Sequence, residues 1–138
     1  MSKHFDVIRD IYSSGERFEE MQMYTDRKLK RWEEEVVRLF PCKARVLNIG
    51  CGKGREAFCL NDKGFRVTAI DISEATIAVA RRISEERQLD INFCISDGMN
   101  LAFPDSYFDV VLIWSQTFGL FDTLESKKHI LSECKRVL

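Results

Sequence analysis

Three glycines at alternate positions, Gly50, Gly52 and Gly54, follow directly on the apolar run Val46, Leu47 and Ile49. A short apolar run reads as a buried strand, and glycines at its exit mark a turn into a helix. Gly50 can take a positive φ there, where a Cβ would clash. Gly52 and Gly54 leave room for a ligand to lie against bare backbone. The free N–H groups of a helix start can then donate to an acidic or carboxylate-bearing ligand. A dinucleotide fingerprint needs G-x-G-x-x-G, and Arg55 occupies the place of its third glycine. The pattern G-x-G-x-G fits a nucleoside cofactor with no pyrophosphate. Alone, it also fits an ordinary strand-to-helix turn.

Two aspartates complete the constellation. Asp71 ends the run Arg66 to Ile70, about 20 residues beyond the glycines, where an acid can accept both hydroxyls of a ribose. The alternative is an Asp that serves the amides near Ser73. At a solvent-accessible strand end, its removal is expected to leave folding little affected. Asp97 precedes Gly98 and Met99 at the end of a third run. Its carboxylate could accept from the exocyclic amine of adenine, with the next backbone N–H donating to a ring nitrogen. Asp-Gly also favours a simple Asx-turn.

The elements that must position these residues alternate in type. Leu29, Trp32, Val36 and Leu39 recur at helical steps within a helix expected from about Glu16 to Phe40. Its charged part, Asp26 to Glu35, reads as a solvated face. A strand at 45–49 leads into the glycine turn and a helix over 54–62. A second strand at 66–70 and a helix from the N-cap Ser73 to Gln88 follow. The third strand spans 91–95 and the fourth 108–114, and a helical segment covers 126–138. The continuous run Val110 to Ile113 suggests a strand covered on both faces. Strand–helix alternation after residue 44 predicts an α/β, doubly wound, mostly parallel sheet of about four strands, in one domain over 1–138 with an N-terminal helical cap at 1–43. Ligands bind such sheets beyond the carboxyl ends of the strands, so Gly50–Gly54, Asp71 and Asp97 converge.

The 138 residues are one domain's worth, with 45% apolar and 31% charged residues and a net charge of −1. Neither nucleic acid nor membrane surface finds a charge signal in that balance. The five cysteines (42, 51, 59, 94 and 134) form no C-x-x-C pair and are odd in number. They read as reduced thiols of a cytoplasmic protein, not as a disulfide framework or zinc site. His129, the one histidine of the folded body, reads as a surface residue.

The stretches Val46-Leu-Asn-Ile-Gly-Cys-Gly-Lys-Gly54, Val67-Thr-Ala-Ile-Asp-Ile-Ser73 and Ser96-Asp-Gly-Met-Asn-Leu-Ala-Phe-Pro-Asp-Ser-Tyr-Phe-Asp-Val-Val111 resemble the cofactor half of class I, Rossmann-like S-adenosylmethionine-dependent methyltransferases. The resemblance implies S-adenosyl-L-methionine as cofactor. Gly50, Cys51 and Gly52 would line its methionine and ribose portions. Asp71 and Ile72 would hold and flank the adenosine, and Asp97, Gly98 and Met99 would meet the adenine. Trp114 would border the sulfonium, with Tyr12 and Tyr24 as further aromatic candidates. The family usually has an acid where Asn48 stands near the methionine amino group; a neutral amide can still hydrogen-bond there.

The family's sheet normally has more strands than this chain offers, so the fold is expected to lack its C-terminal part. A bare fourth-strand edge then predicts self-association, most simply as a dimer. The implied function is methyl transfer to a small-molecule acceptor, the alternative being a non-catalytic cofactor-binding subunit. A nicotinamide oxidoreductase is disfavoured by Arg55.

Overall fold

The computed structural model describes residues 3–23, 28–114 and 116–138. Four strands, β1 (Arg45–Ile49), β2 (Arg66–Asp71), β3 (Ile91–Ile95) and β4 (Val110–Ile113), form one sheet in the order β3-β2-β1-β4. All three pairings are parallel, with Ile49 opposite Ile70 on one side and Ile113 on the other. The crossovers run through α4 (Arg55–Asp62) and α5 (Glu74–Glu86), and α6 (Leu124–Val137) closes the described chain. Before the sheet come α1 (Lys3–Ser13), α2 (Gly15–Met23) and the short α3 (Arg31–Val37).

Side chains alternate across a strand, and the two faces of β1 therefore feed two cores. Val46 joins Ala57, Leu60, Ile77 and Phe93 in the layer under α4 and α5. Leu47 and Ile49 join Ile70, Phe121, Ile130 and Val137 in the layer under α6, which α1 enters with Phe5 and Ile8. Local chemistry sets the helix starts. Ser73 Oγ accepts from Thr76 N–H, and Thr123 Oγ1 accepts from Ser126 N–H, each capping a helix.

Two expectations need correction. The helix foreseen over Glu16 to Phe40 is two helices with extended backbone at Lys30 between them. The buried face of α3 is Leu29, Glu33 and Val37, while Trp32, Val36 and Leu39 are exposed. The reason is Glu33, which reads as surface charge but is 0% exposed. It receives the Arg55 guanidinium through two bonds of 2.8 and 2.7 Å and caps α3 by accepting Lys30 N–H at 2.7 Å. Burial alone would raise the Glu33 carboxyl; the bonds from Arg55 and Lys30 outweigh it and hold it below the ordinary 4.5.

The second correction concerns β4, which does pack against both layers but is covered less deeply than the apolar run suggests. Only Leu112 is fully buried, and Val110, Val111 and Ile113 are half-buried, because β4 lies at the sheet edge.

Truncating Glu33 to Ala leaves the Arg55 charge buried against one carboxylate fewer. Breaking a buried pair in this way costs about 3–5 kcal/mol, so Glu33→Ala is expected to lower the unfolding free energy in urea by that amount. The sign with pH follows from the lowered carboxyl. The stability Glu33 contributes is present above pH 4.5 and is lost as pH falls below it, so the variant's deficit should shrink in acid.

Candidate functional site

At the carboxyl ends of the strands lies a cavity of about 360 Å3. Its wall includes Ile49 and the turn Gly50 to Lys53 after β1, Asp71 and Ile72 after β2, and Ser96 and Asp97 after β3. The three strand ends singled out from the sequence do converge here. Phe5, Ile8 and Tyr12 of α1 form an apolar side, together with Leu120 and Phe121 at the end of the 3-10 turn Thr117–Leu120.

The glycine turn is held by its own backbone. Gly50 N–H and Cys51 N–H both donate to Ile70 O, at 2.8 and 3.0 Å. Gly50 has φ +73°, and a Cβ built on it would stand 2.3 Å from the Thr117 side chain. No other residue type fits without displacing that wall.

Asp71 has both functions weighed for it within reach. Its Oδ2 accepts Gly52 N–H at 2.8 Å and its Oδ1 accepts Ser73 N–H at 2.9 Å. It therefore serves the amides, yet it also lines the cavity. An ionised carboxylate has about four lone-pair positions, so acceptor capacity remains for ligand hydroxyls. Burial pushes this carboxyl above its ordinary value, against the lowering effect of the Ser73 and Gly52 N–H groups. Asp71 is thus half-buried, and its two amide bonds give it a structural part that the sequence reading sets aside. Asp97 makes the Asx-turn, its Oδ1 accepting Met99 N–H at 2.9 Å, and still borders the cavity.

Other expected positions fall elsewhere. Trp114 is not on the cavity wall: it lies on the α4 face of the sheet, edge-to-face with Trp32 at 5.3 Å between centroids. Side-chain alternation puts it with Leu112, away from the strand-end turn. Gly98 and Met99 stand outside the wall too. A Cβ on Gly98 would meet Ile130 at 3.3 Å, and Met99 packs into the α6 layer. Asn48, only 1% exposed, lies within the sheet on the α4 face, and its Nδ2 has no hydrogen-bond partner among the described residues. Tyr12 reaches the wall, whereas Tyr24 lies outside the described residues. His129 is exposed on α6, where its Nε2 lies 2.6 Å from Met99 O. Cys51 borders the cavity as a buried thiol pushed well up by burial and by the Asp71 and Glu56 carboxylates. That makes it inert rather than nucleophilic.

Sequence reasoning missed Lys30, Arg55 and Glu56, which line the end of the cavity beside the glycine turn. Their signal was local for two of them: Arg55 and Glu56 open the helix that the turn leads into. It also missed α1 as a wall, although Phe5, Ile8 and Tyr12 share a face at helical spacing. No helix among the described residues is long and apolar enough to cross a membrane.

Residues 46–138 match the protein family described as a methyltransferase domain. The demethylmenaquinone methyltransferase of Thermus thermophilus is 36% identical over 112 residues, covering 78% of this chain and 49% of that enzyme. A solved protein of Pyrococcus horikoshii OT3 superposes with a TM-score of 0.70 at 27% identity, over 91% of this chain and 62% of that one. A SAM-dependent methyltransferase of Methanosarcina mazei gives 0.70 at 26% identity, over 80% and 53%. The chain spans about half the length of the curated relatives it matches.

Replacing Asp71 by Ala removes the acceptor of two backbone amides. Buried donors left unpaired cost about 1–3 kcal/mol, and chemical denaturation of Asp71→Ala should show a loss of that size. Asp71→Asn retains a carbonyl acceptor and should lose less. Equal stability of both variants and the parent would mean that neither amide depends on this carboxylate.

Proposed function

Since the chain belongs to the class I, Rossmann-like S-adenosylmethionine-dependent methyltransferases, we propose that its cavity binds S-adenosylmethionine and presents the methyl group to a small-molecule acceptor. The observation that carries this reading is the convergence of the glycine turn, Asp71 and Asp97 on one cavity at the strand ends. The cofactor fits the residues present. A cavity of about 360 Å3 lies within the roughly 300–1,000 Å3 of small-molecule sites, and Asp71 and Asp97 on its wall offer acceptors of the kind that ribose hydroxyls and an adenine amine would use.

When bound, the cofactor supplies a methyl group on a good leaving group, so the chain's task is alignment and exclusion of water. Asp71 would accept the ribose hydroxyls while keeping the glycine turn in register. Ile72 would pack on the adenosine and Asp97 would accept from the adenine amine, with Gly98 and Met99 supporting the turn that presents it. Gly50, Cys51 and Gly52 would approach the methionine portion with backbone only. Phe5, Ile8 and Phe121 would keep water from the reacting end. The relatives named for demethylmenaquinone make a cyclic, largely apolar acceptor the first class to screen, and the apolar α1 side of the cavity favours it.

The size of the cavity favours a second reading, binding without transfer, because it lies near the lower end of the range and offers room for one nucleoside-sized ligand. A methyl-transfer screen run beside a cofactor titration separates the two: saturable binding with no labelled acceptor of any class supports the second.

We place the protein in the cytoplasm, consistent with five free cysteines. We also propose that this chain self-associates. The outer edge of β4 has no strand neighbour among the described residues. Beside it runs an apolar groove lined by Val111, Ile113, Phe118, Leu131 and Leu138.

S-adenosylmethionine or S-adenosylhomocysteine should raise the melting temperature, by the equivalent of about 2.7 kcal/mol at a hundredfold excess over the dissociation constant. NADH should leave it unchanged; no shift with the first two would sink the cofactor assignment. Light scattering on a size-exclusion column, across a dilution series, should report a dimer. A monomer at every concentration would refute self-association and leave the cofactor reading intact.

A further inference from the structure

We propose that His129, Glu133 and Arg136 of α6 are positioning residues for the adenine end of the cavity: they grip residues 99–103 by the backbone and so fix the turn that carries Asp97. This rests on the reading of Asp97 as acceptor for the adenine amine and adds what holds that carboxylate in place. Residues 99–103 belong to no helix or strand, so no sheet ladder sets their register. Side chains of one helix do so instead. His129 Nε2 lies 2.6 Å from Met99 O, and because a carbonyl oxygen only accepts, the ring donates there. Glu133 Oε2 accepts Leu101 N–H at 2.8 Å. Arg136 Nη2 donates to Leu101 O and its Nη1 to Phe103 O, both at 2.8 Å.

Spacing explains how one helix can do this. Steps of four and three residues place 129, 133 and 136 on one helical face, and the residues they hold, 99, 101 and 103, follow in the same order. Glu133 and Arg136 also lock each other. Arg136 Nε donates to Oε1 and Nη2 to Oε2, both at 2.8 Å, a fork-to-fork contact that admits one geometry. The Arg136 guanidinium, with the Leu101 N–H, holds the Glu133 carboxyl down at about 2. The pair is therefore ionised at any pH suited to a binding measurement.

The grip reaches the cavity at its near end. Asp97 lines the cavity, and its Oδ1 accepts at 2.9 Å the N–H of Met99, the residue whose carbonyl His129 holds. Gly98, between them, has φ +78°, and a Cβ on it would meet Ile130, the neighbour of His129, at 3.3 Å. The turn thus lies directly on α6. A carboxylate with one oxygen engaged keeps further acceptor positions, and where they point depends on how Met99 is held. His129, Glu133 and Arg136 are not on the cavity wall, so they act on a ligand only through this turn.

The test is calorimetric binding of two probes, S-adenosylhomocysteine and its 6-deamino analogue, in which hydrogen replaces the exocyclic amine. The parent should bind the first roughly tenfold more tightly, the loss expected for one hydrogen bond to a carboxylate. His129→Ala and Arg136→Lys should each bring that ratio close to one by weakening S-adenosylhomocysteine alone. An ammonium lacks the planar fork that holds two carbonyls and a carboxylate together. His129→Gln keeps an N–H donor and should restore most of the ratio. Thermal melts accompany the variants, and His129→Ala, at an exposed position, carries the test if Arg136→Lys folds poorly. Equal weakening of both probes, or the parent's ratio retained in His129→Ala, would make the stripe purely structural and overturn the positioning role. A parent that does not distinguish the probes overturns the adenine role of Asp97 and this proposal, and leaves the cofactor reading intact. A parent that binds neither overturns the cofactor reading as well.

Discussion

Asp71 accepts one backbone N–H from each side of the site, Gly52 from the turn after β1 and Ser73 from the start of α5. A parallel sheet ends in loops that would otherwise be free to move relative to one another, and this carboxylate ties two of them to the end of β2. Ser73 extends the tie. Its Oγ caps α5 through Thr76 N–H, and it meets Ser13 Oγ and Tyr12 O at the end of α1. One acidic side chain thus fixes the glycine turn directly and the N-terminal helix through its neighbour. The cost is burial of a charge, visible as a carboxyl pushed above its ordinary value. Hydroxyl donors from a ligand would offset that cost, since hydrogen bonds to the ionised form favour it.

The second tie is the Glu33–Arg55 pair, which joins α3 to the first residue of α4. It does for the other end of the cavity what Asp71 does at the strand ends. Hydrophobic contacts are non-directional, and Leu29 and Val37 alone would let α3 slide on the layer beneath it. A bidentate guanidinium–carboxylate contact allows one register only. The Asn48 Nδ2 is the opposite case, a buried donor on the central strand β1 with no partner among the described residues. Such a group is a standing cost.

Much of this was legible from short-range signals. The strands read correctly because their side-chain pattern and flanking turn residues are local. Ile91–Ile95 and Arg66–Asp71 needed nothing beyond the run itself and what bounds it. Gly50 and Asp71 were legible because steric exclusion and strand-end position each restrict residue type. Glu33 was not, since a glutamate in a run of charges looks solvated until a partner 22 residues away is placed against it. Trp114 was misplaced for a related reason: its distance along the chain from the strand is right, but alternation turns it to the α4 face. The run Val110–Ile113 packs against both layers, but its half-burial was not legible, because an apolar run reports what a strand tolerates, not how deeply it is covered.

The walls of the cavity therefore differ in how firmly they are held. The strand-end side is part of the sheet and both cores, and moving it would break backbone pairing. The α1 side rests on Phe5 and Ile8, on the His4 Nε2 contact to Leu120 O at 2.7 Å, and on the serine contacts at its other end. Each such hydrogen bond contributes about 0.5–1.5 kcal/mol net, well below what opening the sheet would cost. Local openings draw on the least anchored elements, so α1 is the wall that yields first. A nucleoside of the kind proposed for this cavity would then meet its firmest contacts at the strand ends.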